Sequence, residues 1–281
     1  MESHDDTTGD SAGELTQSEK HVARARTALR AAVIHEAIRA EGEGELKRPV
    51  SALTWSGLAG GLAMGFSLVA TGLLQAHLPD TIWRPLIVNL GYSVGFLATI
   101  LGRQQLYTEN TLTVILPLFT LRDLGTLLKV IRLWSVVLAT NLAGGLVFAL
   151  TLVRTDAFRP EVVAAFHDIS AHAISGGWST MLVRAIFAGW LIATMVWMMP
   201  AADTMGPAVI VLMTYLVSLA QLPHVIAGSA EVLYQVVSGA LPWSSFFGAF
   251  LAPTLIGNTL GGVLLVAFFN HAQVVTESKE S

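Results

Sequence analysis

Residues 207–237 read PAVIVLMTYLVSLAQLPHVIAGSAEVLYQVV, an apolar run that is interrupted once, by the QLPH sequence of residues 221–224. Pro223 has no backbone N–H to donate and disfavours helical geometry at Leu222, so the pattern predicts a helix that breaks in its middle. Lipid cannot satisfy the backbone groups that such a break leaves, and the segment must be buried in protein or line a cavity. The stretch therefore predicts an integral membrane protein with an internal passage.

The composition of the chain agrees with membrane insertion and argues against other classes of protein. Hydrophobic residues make up 53% of the 281 residues and charged residues only 13%, whereas a soluble domain carries about 25% charged residues. The net charge of −4 provides no basic surface for nucleic acid. Because the chain has no cysteine, no HExxH motif and no phosphate-binding glycine loop, we expect no metal, no cofactor and no enzymatic activity.

Six segments meet or approach the roughly 20 apolar residues that a membrane-spanning helix needs. They are residues 51–76, 85–106 (continuing to 120), 133–153, 180–200, 207–237 and 246–269. Seven Lys or Arg residues precede the first segment, three lie between the second and third and one lies in the tail, whereas three lie on the opposite side. Because basic residues accumulate in cytoplasmic loops, we expect a protein of the plasma (inner) membrane with both termini in the cytoplasm.

The chain divides into three parts. Residues 1–47 comprise an acidic tail without a signal-peptide pattern and an amphipathic helix predicted over residues 18–40. Residues 48–271 form the predicted six-helix transport domain, and residues 272–281 form a cytoplasmic tail. The amphipathic helix should rest on lipid headgroups, on a neighbouring subunit or on the bundle. Its apolar stripe consists of Val22, Leu29, Val33 and Ala37.

A second interruption lies in the second span, where residues 103–110 (RQQLYTEN) separate two apolar runs. Each interruption falls in the middle member of a group of three spans. Two groups of three spans, joined by one outside loop, have opposite orientations, which is the arrangement of inverted-repeat transporters. We therefore predict an all-α integral membrane fold with six transmembrane helices, arranged as a 3+3 inverted repeat with broken second and fifth helices.

The histidine of the QLPH sequence is the main candidate for function. His224 should lie at the N-terminus of a half-helix, where the helix dipole and burial favour a neutral imidazole. Such an imidazole can hydrogen-bond a passing solute, or exchange a proton with an anion. A purely structural role is the alternative.

The first interruption adds hydroxyl and aromatic side chains. Thr108 offers a hydroxyl group that can donate to a solute, and Tyr107 offers a ring that can plug a passage. On the preceding helix, Tyr92 and Phe96 are four residues apart and share a face. This spacing fits either packing or a gate.

Four charged residues inside the spans are costly in lipid and should face the protein interior. They are Arg103, Glu109, Arg184 and Glu231. Arg103 and Glu109 are expected to pair across the first interruption. Glu231 follows His224 by about two helical turns and could face the same cavity. Ion pairs that only hold the bundle together are the alternative for all four.

These residues resemble the formate/nitrite transporter family over roughly residues 48–270. Residues 106–111 (LYTENT) are similar to the family's loop in the second helix, and residues 224–227 (HVIA) to its histidine segment after the break in the fifth helix. The resemblance implies a homopentamer with an aquaporin-like fold and a pore in each protomer. It also implies that small monovalent anions, or their acids, pass two hydrophobic constrictions around His224, with Thr108 as its hydroxyl partner. The constrictions would be lined by Leu106, Tyr107, Tyr92, Phe96 and Val217.

The chain departs from this family pattern in four places. Pro223 stands where Glu usually precedes the histidine, Gly228 stands where Asn is usual, and Glu109 replaces a small residue. The lysine expected near the start of the fourth helix is missing, and Gly177 lies at about that position.

The function predicted from the sequence is a channel or transporter for formate, nitrite or a similar small anion. Its flux would be linked to protons through His224, and its other partners would be the lipid bilayer and further copies of the chain. A channel for a small neutral solute is one alternative. A membrane sensor or structural protein that does not transport is another.

Overall fold

Only helices, turns and loops occur in the residues that our computed structural model describes, which are residues 16–18 and 29–280. Met1–Arg30 and Ala31–Ser281 form separate units, and the helices described below belong to the second. They are α1 (Ala31–Lys47), α2 (Val50–His77), α3 (Arg84–Leu101), α4 (Asn110–Leu121), α5 (Leu124–Arg154), α6 (Pro160–His172), α7 (Trp178–Ala202), α8 (Gly206–Leu219), α9 (Ala227–Val237) and α10 (residues 245–280).

Five of the described helical stretches are long and apolar enough to cross a membrane: α2, α3, α5, the α7–α8 stretch (Trp178–Leu219) and α10. The all-α membrane fold predicted from the sequence is thereby confirmed. The α7–α8 stretch has 42 residues, or about 63 Å of helix, which is twice the thickness of a bilayer core. Asp203, with a φ of 45°, interrupts the helical geometry between α7 and α8. Helices α4 and α9 are too short to span a bilayer alone.

Glycines allow two pairs of helices to pack closely. A Cβ atom at Gly61 on α2 would lie 2.1 Å from the carbonyl oxygen of Asn141 on α5. A Cβ atom at Gly189 on α7 would lie 2.2 Å from the carbonyl oxygen of Asn258 on α10. Small residues at such contacts are typical of membrane bundles. Both crossings hold an asparagine in the interior, where it is fully buried.

The described part of the N-terminal region contains helix α1, which covers Ala31–Lys47. Residues 31–40 are helical as predicted, residues 29 and 30 are not, and residues 19–28 of the predicted helix lie outside the described residues. Val33 and Ala37 of the predicted stripe are exposed, Leu29 precedes the helix, and Val22 lies outside the described residues. The buried residues of α1 are spaced three or four positions apart. They are His35, Ile38, Gly42 and Leu46.

Contacts with the other helices explain the position of α1. A Cβ atom at Gly42 would lie 2.0 Å from the carbonyl oxygen of Thr113 on α4, so only glycine allows α1 to approach this closely. The backbone carbonyl of Leu46 accepts a hydrogen bond from Arg132 on α5 (2.8 Å). Helix α1 is therefore placed by tertiary contacts, which the amphipathic pattern of residues 18–40 does not contain.

Two further segments are helical where the sequence analysis predicted loops or a tail. Helix α6 lies between the third and fourth predicted spans, with Pro160 at its first turn and Glu161 beside it. Both residues are common at helix starts. The predicted tail, residues 272–281, continues α10 as helix up to Glu280.

Candidate functional site

Two non-helical segments, called the breaks below, interrupt the membrane helices. The first is residues 102–109, between α3 and α4, and the second is residues 220–226, between α8 and α9. Arg103 and Gln221 occupy the same left-handed conformation, with φ of 54° and 51°. After each of them the next N–H returns to the carbonyl five residues earlier, at 2.9 Å in both breaks. This is the hydrogen-bond pattern of a Schellman helix end. The two breaks therefore begin with the same backbone geometry.

A buried asparagine holds the first break. The Asn141 Nδ2 amide on α5 donates to the carbonyl oxygens of Gly57 (2.7 Å) and Gln105 (2.9 Å). The Asn141 Oδ1 atom accepts a hydrogen bond from the backbone N–H of Tyr107 at 3.0 Å. One side chain therefore satisfies three backbone groups, two of them in the break itself.

A second asparagine holds the second break in the same way. The Asn258 Nδ2 amide on α10 donates to the carbonyl oxygens of Ala185 (2.8 Å) and Pro223 (3.0 Å). Its Oδ1 atom accepts from the backbone N–H of Val225 at 2.8 Å. The sequence analysis missed both asparagines. The signal was an N-x-x-G-G pattern that occurs at residues 141–145 (NLAGG) and again at residues 258–262 (NTLGG).

The two breaks meet at a hydrogen bond between His224 and Thr108. The Nε2 atom of His224 lies 2.8 Å from Thr108 Oγ1, and both side chains are fully buried. The Nδ1 atom of His224 accepts from the backbone N–H groups of Ile226 (3.3 Å) and Ala227 (3.2 Å), at the start of α9. Because Nδ1 is an acceptor, a neutral imidazole carries its proton on Nε2 and donates it to Thr108. The hydroxyl proton of Thr108 is then available to another acceptor.

Aromatic rings extend from this hydrogen bond towards α3. The Phe96 ring meets the His224 ring edge-on, with centroids 4.9 Å apart. The Tyr92 ring lies next to Phe96, at a centroid distance of 5.4 Å. Phe96 is completely buried and Tyr92 nearly so. The helix face shared by Tyr92 and Phe96 is therefore directed at His224.

A cavity of about 360 Å³ lies on one side of His224. Of the residues predicted to line a pore, Tyr92, Val217 and His224 form part of its wall. Arg184 and Glu231 also line it, as do side chains from α6, which the sequence analysis missed because it did not predict that helix. The cavity wall does not include Thr108, Leu106, Tyr107 or Phe96.

Leu106 and Tyr107 are buried in the first break. The Tyr107 hydroxyl lies 2.9 Å from the Oγ1 atom of Thr259 on α10. The Tyr107 ring packs beside Trp134, with centroids 5.7 Å apart. These contacts hold the Tyr107 ring in place, and the predicted role of Leu106 and Tyr107 in a constriction stays a prediction.

The expected Arg103–Glu109 ion pair is not formed. Arg103 pairs instead with Glu41 on α1, at 3.0 Å, and its side chain is 85% exposed. The left-handed conformation of Arg103 ends α3 and directs its side chain outward, away from the interior. Among the described residues, the Glu109 carboxyl makes no hydrogen bond or ion pair.

Helix α1 covers the first break. Besides the Glu41–Arg103 pair, the Glu45 carboxylate accepts a hydrogen bond from Gln105 Nε2 at 2.9 Å. The Gln105 Oε1 atom in turn accepts from Asn110 Nδ2 at 3.0 Å. Glutamates of α1 thus contact the same loop that Asn141 holds from the other side.

Comparisons with known proteins agree on one family. The model of the formate/nitrite transporter family matches residues 32–272. The chain is 44% identical over 249 residues to the inner membrane protein YfdC of Escherichia coli (strain K12), covering 89% of this chain and 80% of that protein. It is similar in structure to an FNT family ion channel, with a TM-score of 0.74, 16% identity, and coverage of 85% of this chain and 98% of that one. It is also similar to a pentameric formate channel with formate bound, with a TM-score of 0.69, 18% identity, and coverage of 80% and 98%.

Proposed function

Because the chain belongs to the formate/nitrite transporter family, we propose that it conducts a small monovalent anion such as formate or nitrite, or the acid of that anion. The family consists of channels and transporters and not of enzymes. The observation that carries the proposal is the 2.8 Å contact between His224 and Thr108. It joins the two helix breaks beside a cavity that is large enough for such a solute.

The proposed arrangement is six transmembrane helices in a 3+3 inverted repeat. The matching helix ends at Arg103 and Gln221 support it, and so do the matching contacts of Asn141 and Asn258. We place the protein in the inner membrane, as the name of its Escherichia coli relative supports. The excess of Lys and Arg supports cytoplasmic termini. A homopentamer is proposed because a similar structure is a pentameric channel.

The proposed role of Thr108 is to bind the solute by its hydroxyl proton. His224 donates its Nε2 proton to Thr108 Oγ1, so the Thr108 proton is left to point at a solute oxygen. Phe96, Leu106 and Val217 are completely buried around this point. A bare anion is far more costly than a neutral acid in such surroundings. The solute is therefore proposed to cross the apolar part as the neutral acid, with its flux linked to protons.

The test is formate uptake by purified protein in liposomes, with and without an inward proton gradient. His224→Ala should lower gradient-driven uptake by more than tenfold, because it frees Thr108 and the N–H groups at the start of α9. His77→Ala is the matched control, since His77 is exposed and bonds only within α2. Undiminished uptake by a folded His224→Ala protein would contradict the proposed role. No uptake by the wild type would favour nitrite or a neutral solute.

A further inference from the structure

Glu231 is a carboxyl group inside the cavity for which the proposed function has so far no role. His224, Gly228 and Glu231 all line the cavity, and their spacing of four and three residues places them on one helix face. Gly228 has no side chain, and the Phe250 ring of the cavity wall packs over it, since a Cβ atom at Gly228 would lie 2.7 Å from Phe250 Cζ. Seven residues correspond to about 10 Å along the helix axis. Glu231 is therefore too far from His224 for a direct hydrogen bond but shares its cavity.

Glu231 lies between His224 and the exposed end of α9. The helix runs from the break to Val237, and residues 239–240 after it are exposed. Among the described residues of α9, Glu231 is the last that lines the cavity, so along this helix the cavity reaches from the break at His224 to Glu231.

Six other ionisable side chains share the cavity wall with Glu231 and His224. They are Asp80, Arg84, Tyr92, Asp168, His172 and Arg184. Asp80 and Arg84 pair with each other at 3.4 Å. Asp168 accepts a hydrogen bond from Gln75 Nε2 at 2.5 Å. Both other carboxylates of the wall are therefore engaged by neighbours.

Two of the remaining ionisable groups of the cavity wall, His172 and Arg184, also have hydrogen-bond partners. His172 hydrogen-bonds a carbonyl oxygen one turn earlier in α6, at 2.7 Å, and Arg184 donates to Ser175 at 3.4 Å. Tyr92 is nearly buried and close enough to Glu231 to interact with it electrostatically. Within the part of the chain that the structure describes, the Glu231 carboxyl itself makes no hydrogen bond or ion pair.

His224 is poorly arranged to give a proton to a solute. Its Nδ1 atom already accepts two backbone N–H groups, and a proton on Nδ1 would break both contacts. A neutral imidazole that gave up its Nε2 proton would become an anion, which burial makes very costly. His224 is therefore not arranged to supply the proton for an arriving anion.

We infer that Glu231 is the residue that protonates the anion in the cavity, before the resulting acid reaches Thr108 and His224. The inference rests on the proposed anion conduction. The Glu231 carboxylic acid transfers its proton to a carboxylate oxygen of formate, which yields neutral formic acid and a Glu231 carboxylate. A proton from the external solution then converts the Glu231 carboxylate back to the acid, so each turnover takes up one anion and one proton. Arg184, on the same wall, provides a positive charge that attracts the anion.

The test is the pH profile of radiolabelled formate uptake into proteoliposomes, between external pH 5 and pH 8. Glu231→Gln keeps the shape of the side chain but cannot give a proton. It should lower uptake at pH 7 by about a hundredfold, the low end of what general acids contribute. The deficit should shrink towards pH 5, where more formate arrives as formic acid. Glu231→Asp should keep a pH-dependent uptake.

Glu161→Gln is the control, because this glutamate is exposed at the start of α6 and does not line the cavity. An unchanged pH profile in Glu231→Gln, beside an active wild type, would overturn the inference and leave the proposed function intact. A wild type that takes up neither formate nor nitrite would overturn both. If Glu231→Gln is not recovered folded, Glu231→His replaces it; its titration near neutral pH should shift the midpoint of the profile, and an unshifted midpoint would overturn the inference.

Discussion

The break at residues 102–109 and the break at residues 220–226 have the same backbone but different surroundings. Both start at a left-handed residue and both are held by a buried asparagine. The first is covered by α1, through Glu41 and Glu45. The second lies against a cavity that His224 lines. Repeated backbone contacts therefore build the frame, whereas side chains that are not repeated make one break covered and the other accessible.

Replacing the asparagines should have the largest effect. Asn141→Ala and Asn258→Ala each leave two buried backbone groups of a break without a partner, at a cost of about 1–3 kcal/mol for each group, whereas the carbonyls of Gly57 and Ala185 keep their helical hydrogen bonds. Both variants should lose several kcal/mol of stability, and by similar amounts if the two breaks are equivalent. Thermal unfolding in detergent, followed by size-exclusion chromatography, measures this loss. Asn270→Ala, on the partly exposed end of α10, should change stability by less than about 0.5 kcal/mol. A small loss in either buried variant would break the equivalence.

Separating the two breaks from each other should have the next largest effect. Thr108→Val keeps the shape of the side chain but removes the hydroxyl that joins the breaks, and formate uptake should fall about tenfold. Thr108→Ser keeps the hydroxyl and should retain most of the uptake. Thr54→Val serves as the control, because the Thr54 hydroxyl bonds only to a carbonyl in its own helix. Normal uptake by Thr108→Val would mean that the contact only holds the fold together.

The docking of α1 over the first break should depend on pH, and this is the smallest of the expected effects. His35 on α1 contacts His271 on α10, with Nε2 3.0 Å from Nδ1. Burial first, and then His271, lower the pKa of His35 below its ordinary value of 6.5; Glu36 opposes this and Arg39 adds to it. The His35 imidazole therefore binds a proton at a higher pH when α1 is detached from the bundle than when α1 is docked on it. The docking is stable above about pH 6.5 and weakens as pH falls below it.

Hydrogen–deuterium exchange at pH 7.5 and pH 5.5, corrected for intrinsic rates, tests this response. Exchange in α1 should accelerate at the lower pH, whereas residues 220–226 should change little. His35→Gln should remove the difference between the two pH values. Equal protection of α1 at both pH values in the wild type would show that the histidine contact does not control the cover.

The fold was predictable where one side chain decides the local backbone. Pro223 cannot continue a helix, and the polar run at residues 103–110 cannot cross lipid as an ordinary span. The extension of α1 to Lys47 was not predicted, because an amphipathic pattern permits several positions for a helix. The contact of Gly42 with Thr113 selects one of them. Helix α6 was missed because its 13 residues are short and only partly apolar.

Within the site, the sequence singled out His224, Thr108 and Glu231 by residue type and by their position at or near a break. The family resemblance implied Thr108 as the partner of His224, whereas the other contacts of these residues did not follow from the sequence. The expected Arg103–Glu109 pair relied on closeness in sequence, but the helix end at Arg103 directs that side chain to Glu41. The asparagines were overlooked because a lone polar residue in a span does not reveal which backbone it meets.

Composition and motifs alone predict a helical membrane protein of the formate/nitrite transporter family, with breaks near Gln105 and Pro223. Hydrophobicity and backbone restriction are local properties, so a single chain segment contains them. The structure adds that α1 covers one break and that Glu231 lines the cavity with no partner among the described residues, and it gives the contact between Thr108 and His224 that the family resemblance implied. Each of these depends on how separate helices cross, and small residues such as Gly42, Gly61 and Gly189 set those crossings at distances that no local pattern specifies.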